Sequence, residues 1–94
     1  MHGINLPTVT VILTPALLRL FPTAEARSRV SAASVDHMLD ELDKRWPGIR
    51  DRIADTSPAI RRHITVFVDG ERARLDTPLR DDGTVYILTA VSGG

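Results

Sequence analysis

The sequence has no cysteine. Disulfides, thiolate metal sites and side-chain thiol nucleophiles are therefore excluded, and any sulfur chemistry must use another atom. Aromatic residues are scarce: one tryptophan, one tyrosine and two phenylalanines. No run of about 18 apolar residues is available to span a membrane. The opening MHGINLPTVTVIL has neither the basic start nor the small-residue cleavage site of a secretory signal, so a cytoplasmic location is expected. Neither sign of charge is in excess, with 12 basic against 12 acidic residues. That balance removes the general electrostatic drive toward nucleic acid or anionic lipid, and neither is expected as a partner. Lysine is nearly missing: every basic residue except Lys44 is arginine.

What is present is enough for one packed domain. The 94 residues are 43% hydrophobic and 26% charged, close to an average globular protein, and they are expected to form a single unit over 1–94. Residues 8–14, TVTVILT, alternate Val9, Val11 and Leu13 against Thr8, Thr10 and Ile12, the pattern of a half-buried strand. Pro15 ends it, ALLRLFPT reads as a connection, and a more polar strand is expected at about 25–32. Ser34 is placed to cap a helix, with Asp36 in its first turn. Val35, Met38, Leu39, Leu42 and Trp46 recur at helical spacing, and Pro47-Gly48 stops the run. The stretch 49–62 is weakly patterned: a short helical turn at 49–54, then a loop broken at Ser57-Pro58. Strand character returns at 64–68, Asp69-Gly70 signals a hairpin, and the last strand spans 85–91.

One amphipathic helix must bury its stripe, and a sheet with one apolar face is the matching layer. The expected class is α+β of the β-grasp type, a mixed sheet of four to five strands on one main helix.

Several residues carry a resemblance. Leu17-Leu18-Arg19 follows the first strand, VDGE (68–71) makes the hairpin, TPLRDDGTVYIL (77–88) leads into the last strand, and AVSGG (90–94) ends the sequence. This arrangement resembles the ubiquitin-like sulfur carriers of the MoaD/ThiS family. The 49–62 stretch, with its Ser-Pro and basic residues, is similar to the branch of that family serving a sulfur route to cysteine.

The resemblance implies a carrier that has no catalytic power of its own and binds no cofactor. The Gly94 carboxylate would be adenylated by an E1-like activating enzyme that uses ATP, and then converted to a thiocarboxylate. Two residues of extended chain span about 7 Å, and glycine has no Cβ to obstruct a narrow channel. Gly93 and Ser92 are thus the threading residues of a flexible tail, 92–94. The sulfur acceptor implied is a pyridoxal-phosphate-dependent cysteine synthase, with a metalloprotease releasing the product; the sister reading is a partner of the molybdopterin synthase large subunit or another acceptor.

Tyr86, Leu88 and Ala90 alternate with Val85 and Ile87, and the family's geometry turns the latter pair toward the helix. Tyr86, Leu88 and Ala90 are therefore candidates for partner docking, with Arg19 as a further contact. The alternative is that the 49–62 stretch covers them. His2, His37 and His63 have no metal-ligand spacing, and no triad, acid pair or phosphate loop stands out. Arg61, Arg62 and His63 form a small basic cluster, read as a solvated rim. Two other classes of function stay open. A ubiquitin-like protein modifier would join Gly94 to lysines, although Lys44 as the sole internal lysine disfavours chain building. A plain binding module would not need the glycine pair.

Overall fold

The computed structural model describes residues 5–90. The chain order is β1 (Thr8–Leu13), α1 (Pro15–Leu20), β2 (Arg27–Ser31), α2 (Val35–Arg45), α3 (Ile49–Ile53), β3 (Ala54–Asp55), β4 (Ala59–Ile60), β5 (Ile64–Val68), β6 (Glu71–Arg72) and β7 (Thr84–Thr89). Five strands form one mixed sheet in the order β2-β1-β7-β5-β6, and β3-β4 make a separate two-stranded sheet. The β1–β7 pair at the centre is parallel and its neighbours are antiparallel. This is the expected α+β layout of a mixed sheet on one main helix.

The alternating residues of β1 divide as their sequence requires. Val9, Val11 and Leu13 are buried, while Thr8, Thr10 and Ile12 point to the other face. Val85 and Ile87 of β7 and Ile64, Val66 and Val68 of β5 join the same buried layer. Against it lies α2, whose Val35, Met38, Leu39 and Leu42 are fully buried. Ser34 caps α2 by accepting a hydrogen bond from the His37 amide at 3.2 Å. Trp46 closes the stripe just past the helix end, buried with the rest.

Two stretches depart from the sequence expectation. The connection after Pro15 is a one-and-a-half-turn helix, α1, because proline fits the first helical position and Leu17, only 2% exposed, anchors it to the core. The 49–62 stretch is not a loop after its first turn. Its Ile49, Ile53 and Ala54 are core residues, and Ala54 and Asp55 pair with Ile60 and Ala59 in a small hairpin. The second strand is also shorter than expected, Arg27–Ser31 rather than 25–32. The Asp69-Gly70 hairpin forms as read, with φ of 51° and 87° at its two central residues, the left-handed pair that this turn requires.

Candidate functional site

The last strand is the structural base of the C-terminal segment. β7 runs between β1 and β5, so its backbone is paired on both sides. Thr89 is in register with Ile64, and one residue on, the Ala90 amide donates to the His63 carbonyl at 2.7 Å. The strand is thereby held up to the residue before the terminal four. Ser92 and Gly93, expected from the sequence to thread a channel, and Gly94, expected to carry the adenylated carboxylate, lie outside the described residues.

At the other end of β7, the chain enters through a tight turn. Asp82 has φ of 64°, and Gly83 is so enclosed that a Cβ there would stand 2.9 Å from Asp69 Oδ1 and 3.0 Å from the Arg80 carbonyl. The Gly83 carbonyl accepts from the Thr10 amide at 2.9 Å, and Asp69 Oδ1 accepts from the Thr84 amide at 2.8 Å. The RDDGT sequence thus sets the register in which β7 joins β1.

That register decides which side chains stand beside Tyr86. Ile12 of β1 is paired with Tyr86, and Tyr86 with Phe67 of β5. The row continues outward to Arg27 of β2, paired with Ile12, and to Arg72 of β6, paired with Phe67. Paired residues share a face, so a single line across the sheet reads Arg27, Ile12, Tyr86, Phe67, Arg72 on the side away from α2. Leu88 stands two residues along β7 on the same face, opposite Thr65. Tyr86 is 43% exposed and Leu88 37%, with Ile12 and Phe67 half-buried around them. The 49–62 stretch does not cover them; its apolar residues are spent on the core of the opposite face.

The remaining sequence candidates are distributed differently. Ala90 is exposed at the end of β7. Arg19 is exposed in the last turn of α1, outside the sheet. In the basic cluster, Arg61 is tied down, its Nε donating to the Asp51 carbonyl at 2.6 Å, while Arg62 and His63 are exposed. Ile12, Phe67, Arg27 and Arg72 were not singled out from the sequence. The alternation of each strand places them on the open face, but only the pairing register sets them in line with Tyr86.

Among the described residues, no cluster of three or more His, Asp or Glu could hold a metal ion, and no helix is long and apolar enough to cross a membrane. An open groove of about 820 Å³ lies between the β3-β4 hairpin and residues 73–76. None of its lining residues belongs to the Tyr86 row, and it holds no convergent set of reactive groups. The chemistry available is that of a fixed strand end and an apolar, arginine-edged sheet face.

Comparison with known proteins agrees with this geometry. The ThiS family model matches residues 18–94. The sulfur carrier protein CysO of Mycobacterium tuberculosis is 30% identical over 92 residues, covering 92% of this chain and 98% of that one. The crystal structure of the Amycolatopsis orientalis BexX/CysO complex contains a chain that superposes with a TM-score of 0.79 at 31% identity, covering 92% of this chain and 99% of that one. SAMP1 from Haloferax volcanii superposes with a TM-score of 0.77 at 24% identity over 93% of this chain and 99% of its own, a likeness of fold. The shared architecture is the β-grasp.

Proposed function

The chain belongs to the ThiS family, and from that membership we propose that it is a sulfur carrier working through a thiocarboxylate at Gly94. The observation that supports this most directly is that the family match runs through residue 94, so that it takes in Gly93 and Gly94 as well as the folded body from residue 18 onward. The identity to a sulfur carrier over almost the full length of both chains supports it further.

The chemistry follows from the α-carboxylate. Its ordinary pKa is about 3.5, so at neutral pH it is an anionic nucleophile. A carboxylate oxygen attacks the α-phosphorus of ATP in the partner enzyme, pyrophosphate leaves, and an acyl-adenylate results. Sulfide, or a persulfide whose S–S bond a thiol then cleaves, attacks the acyl carbon and expels AMP. The product is a thiocarboxylate, a nucleophilic sulfur on a chain that has no thiol. The protein is a co-substrate in this scheme and supplies no acid or base.

The fold contributes placement. The β7 backbone is paired with β1 as far as Ile87 and on the β5 side as far as Ala90, and four further residues span at most about 14 Å. The partner must therefore seat the sheet close to its own reaction centre, and Tyr86, Leu88 and Ala90 are the surface for that contact, with Arg19 on α1 as a further contact. An exposed tyrosine is a residue type enriched among interface anchors, and the exposed leucine beside it adds apolar area.

For the acceptor we favour cysteine formation. The thiocarboxylate sulfur would add to the β-carbon of an aminoacrylate held by a pyridoxal-phosphate synthase. An S-to-N acyl shift would then leave cysteine amide-linked to Gly94. Hydrolysis by a metalloprotease would release cysteine and regenerate the carboxylate.

The test is intact-mass spectrometry of the chain coexpressed with a carrier-adenylating enzyme and a sulfur source. A gain equal to sulfur less oxygen, located on the C-terminal peptide and missing from a variant lacking Gly93 and Gly94, is the expected result. An unchanged mass, with adenylation independently verified, overturns the proposal.

A further inference from the structure

The arginines that end the Tyr86 row raise a question the carrier chemistry does not answer. Three arginines stand on the open face by register: Arg27, Arg29 and Arg72. Arg29 is neutralised by Asp82 at 3.2 Å. Arg27 and Arg72 are exposed, and among the described residues neither makes an ion pair or a side-chain hydrogen bond. They sit at opposite ends of one line, four strand spacings or about 19 Å apart, with Ile12, Tyr86 and Phe67 between them. The molecule as a whole carries no net charge, so this pair is a local feature of the face rather than a consequence of a basic protein.

We propose that this face recognises a protein surface with an apolar centre bracketed by two carboxylate clusters about 19 Å apart, and that the Arg27 and Arg72 pair selects the adenylating partner by charge. The inference rests on the carrier reading given above. Arginine suits this role because its guanidinium is weakly hydrated and meets a carboxylate with two parallel hydrogen bonds. Rim charges of this kind act chiefly on encounter and on the rejection of wrong partners, while the buried aromatic centre supplies the affinity.

The other occupants fit less well. A second copy of this chain meeting the face through a two-fold axis would set row against row, and each end of the row is an arginine, so like charges would oppose each other. A nucleic acid strand would satisfy the arginines, but it leaves the aliphatic Ile12 and Leu88 unmatched and gains nothing from a chain of zero net charge.

The experiment is carrier-dependent ATP–pyrophosphate exchange with a carrier-adenylating enzyme from the same organism, using the full chain. Wild type is compared with R27E/R72E, R27K/R72K and the variant lacking Gly93 and Gly94. The expected result for R27E/R72E is a KM for the carrier raised about tenfold at low salt, with kcat within twofold and an unchanged thermal midpoint. R27K/R72K should stay within threefold of wild type, and the wild-type KM should rise with ionic strength while that of R27E/R72E falls or stays level. If wild type supports exchange and R27E/R72E has the same KM, the charge selection is wrong and the carrier reading stands. If wild type supports no exchange with an active enzyme, the carrier reading fails and this inference with it. Concentration-dependent dimerisation, or binding of a single-stranded RNA oligomer, that R27E/R72E abolishes while leaving KM unchanged would assign the face to those occupants instead.

Discussion

The Ala90 amide donates to the His63 carbonyl at 2.7 Å, which makes the residue just before β5 the last backbone partner of the C-terminal strand among the described residues. A carrier that must deliver a main-chain carboxylate needs the strand that leads to it fixed in place. Ala90→Pro removes the donor and leaves the fold's core untouched. The expected loss of stability is at most about 1.5 kcal/mol, the range of a single exposed hydrogen bond. Exchange activity should fall through a higher KM, read by the same pyrophosphate assay, and an unaltered KM would show that the strand end need not be fixed.

Tyr86 is held by β7 at the centre of the open face, flanked by Ile12 and Phe67. Since 43% of its surface is exposed, Tyr86→Ala should change stability by no more than about 1 kcal/mol. As an anchor in an interface its loss should weaken partner binding by about 2 kcal/mol, a factor of roughly 30. Calorimetric titration of the adenylating partner and a urea melt separate the two effects; equal losses in both would make Tyr86 a structural residue only.

Gly83 lies where the entry turn of β7 crosses Asp69. A Cβ at that position meets Asp69 Oδ1 at 2.9 Å and the Arg80 carbonyl at 3.0 Å. The carbonyl belongs to the backbone and cannot swing away, and moving the Asp69 carboxylate breaks its bond to the Thr84 amide. Gly83→Ala is expected to destabilise the protein by about 1–3 kcal/mol, measured by chemical denaturation. A stability equal to wild type would mean that the turn has slack the geometry does not display.

Arg50 joins α3 to α2. Its guanidinium donates to the Asp36 carbonyl at 2.9 Å and to the Asp36 carboxylate, and pairs with Asp40 at 3.1 Å. The hydrogen bond to Asp36 raises the Arg50 pKa above its ordinary value, against a smaller opposing effect of burial. Because the acidic partners are half exposed, the ion pairs are screened and Arg50→Ala should cost only about 1 kcal/mol. Arg50→Lys, whose compact ammonium lacks the planar fork that reaches Asp36 and Asp40 together, should recover less than half of it.

Asp55 organises the turn of the β3-β4 hairpin. Its Oδ1 accepts from the Ser57 amide at 2.9 Å, from the Ala59 amide at 3.1 Å and from the Ser57 hydroxyl. The Ser57 hydrogen bonds, side chain first, lower the Asp55 pKa below the ordinary carboxylate value. The unfolded chain therefore takes up the proton first as pH falls. The contribution to stability is complete above about pH 4, the unfolded value, and disappears as pH drops through the lower folded value. The difference in thermal midpoint between wild type and Asp55→Ala should be constant at neutral pH and shrink below pH 4, and a gap independent of pH would exclude the carboxylate as its source.

Much of this protein follows from local pattern. The alternation of Val9, Val11 and Leu13 and the helical stripe from Val35 to Leu42 each name their own buried face, because side-chain period is set by backbone geometry. Ser34, Asp69 and Gly70 declare a cap and a turn through their own chemistry. The helix at Leu17 and the hairpin after the helical turn of Ile49–Ile53 escape the sequence for the opposite reason. A six-residue helix and a two-residue strand pair are too short to show a period, and tertiary burial of Leu17, Ile49 and Ile53 holds them in place. The glycine pair and the Tyr86 alternation were visible in one dimension. The line from Arg27 through Tyr86 to Arg72 was not, since it joins five separate strands. Its order depends on β1 and β7 pairing in parallel with Ile12 opposite Tyr86, a register fixed by burying Val11 against Val85 and by the enclosed turn at Gly83. A single-residue slip would turn those valines to solvent and dismantle the row, and that penalty resides in the packed core rather than in any one segment.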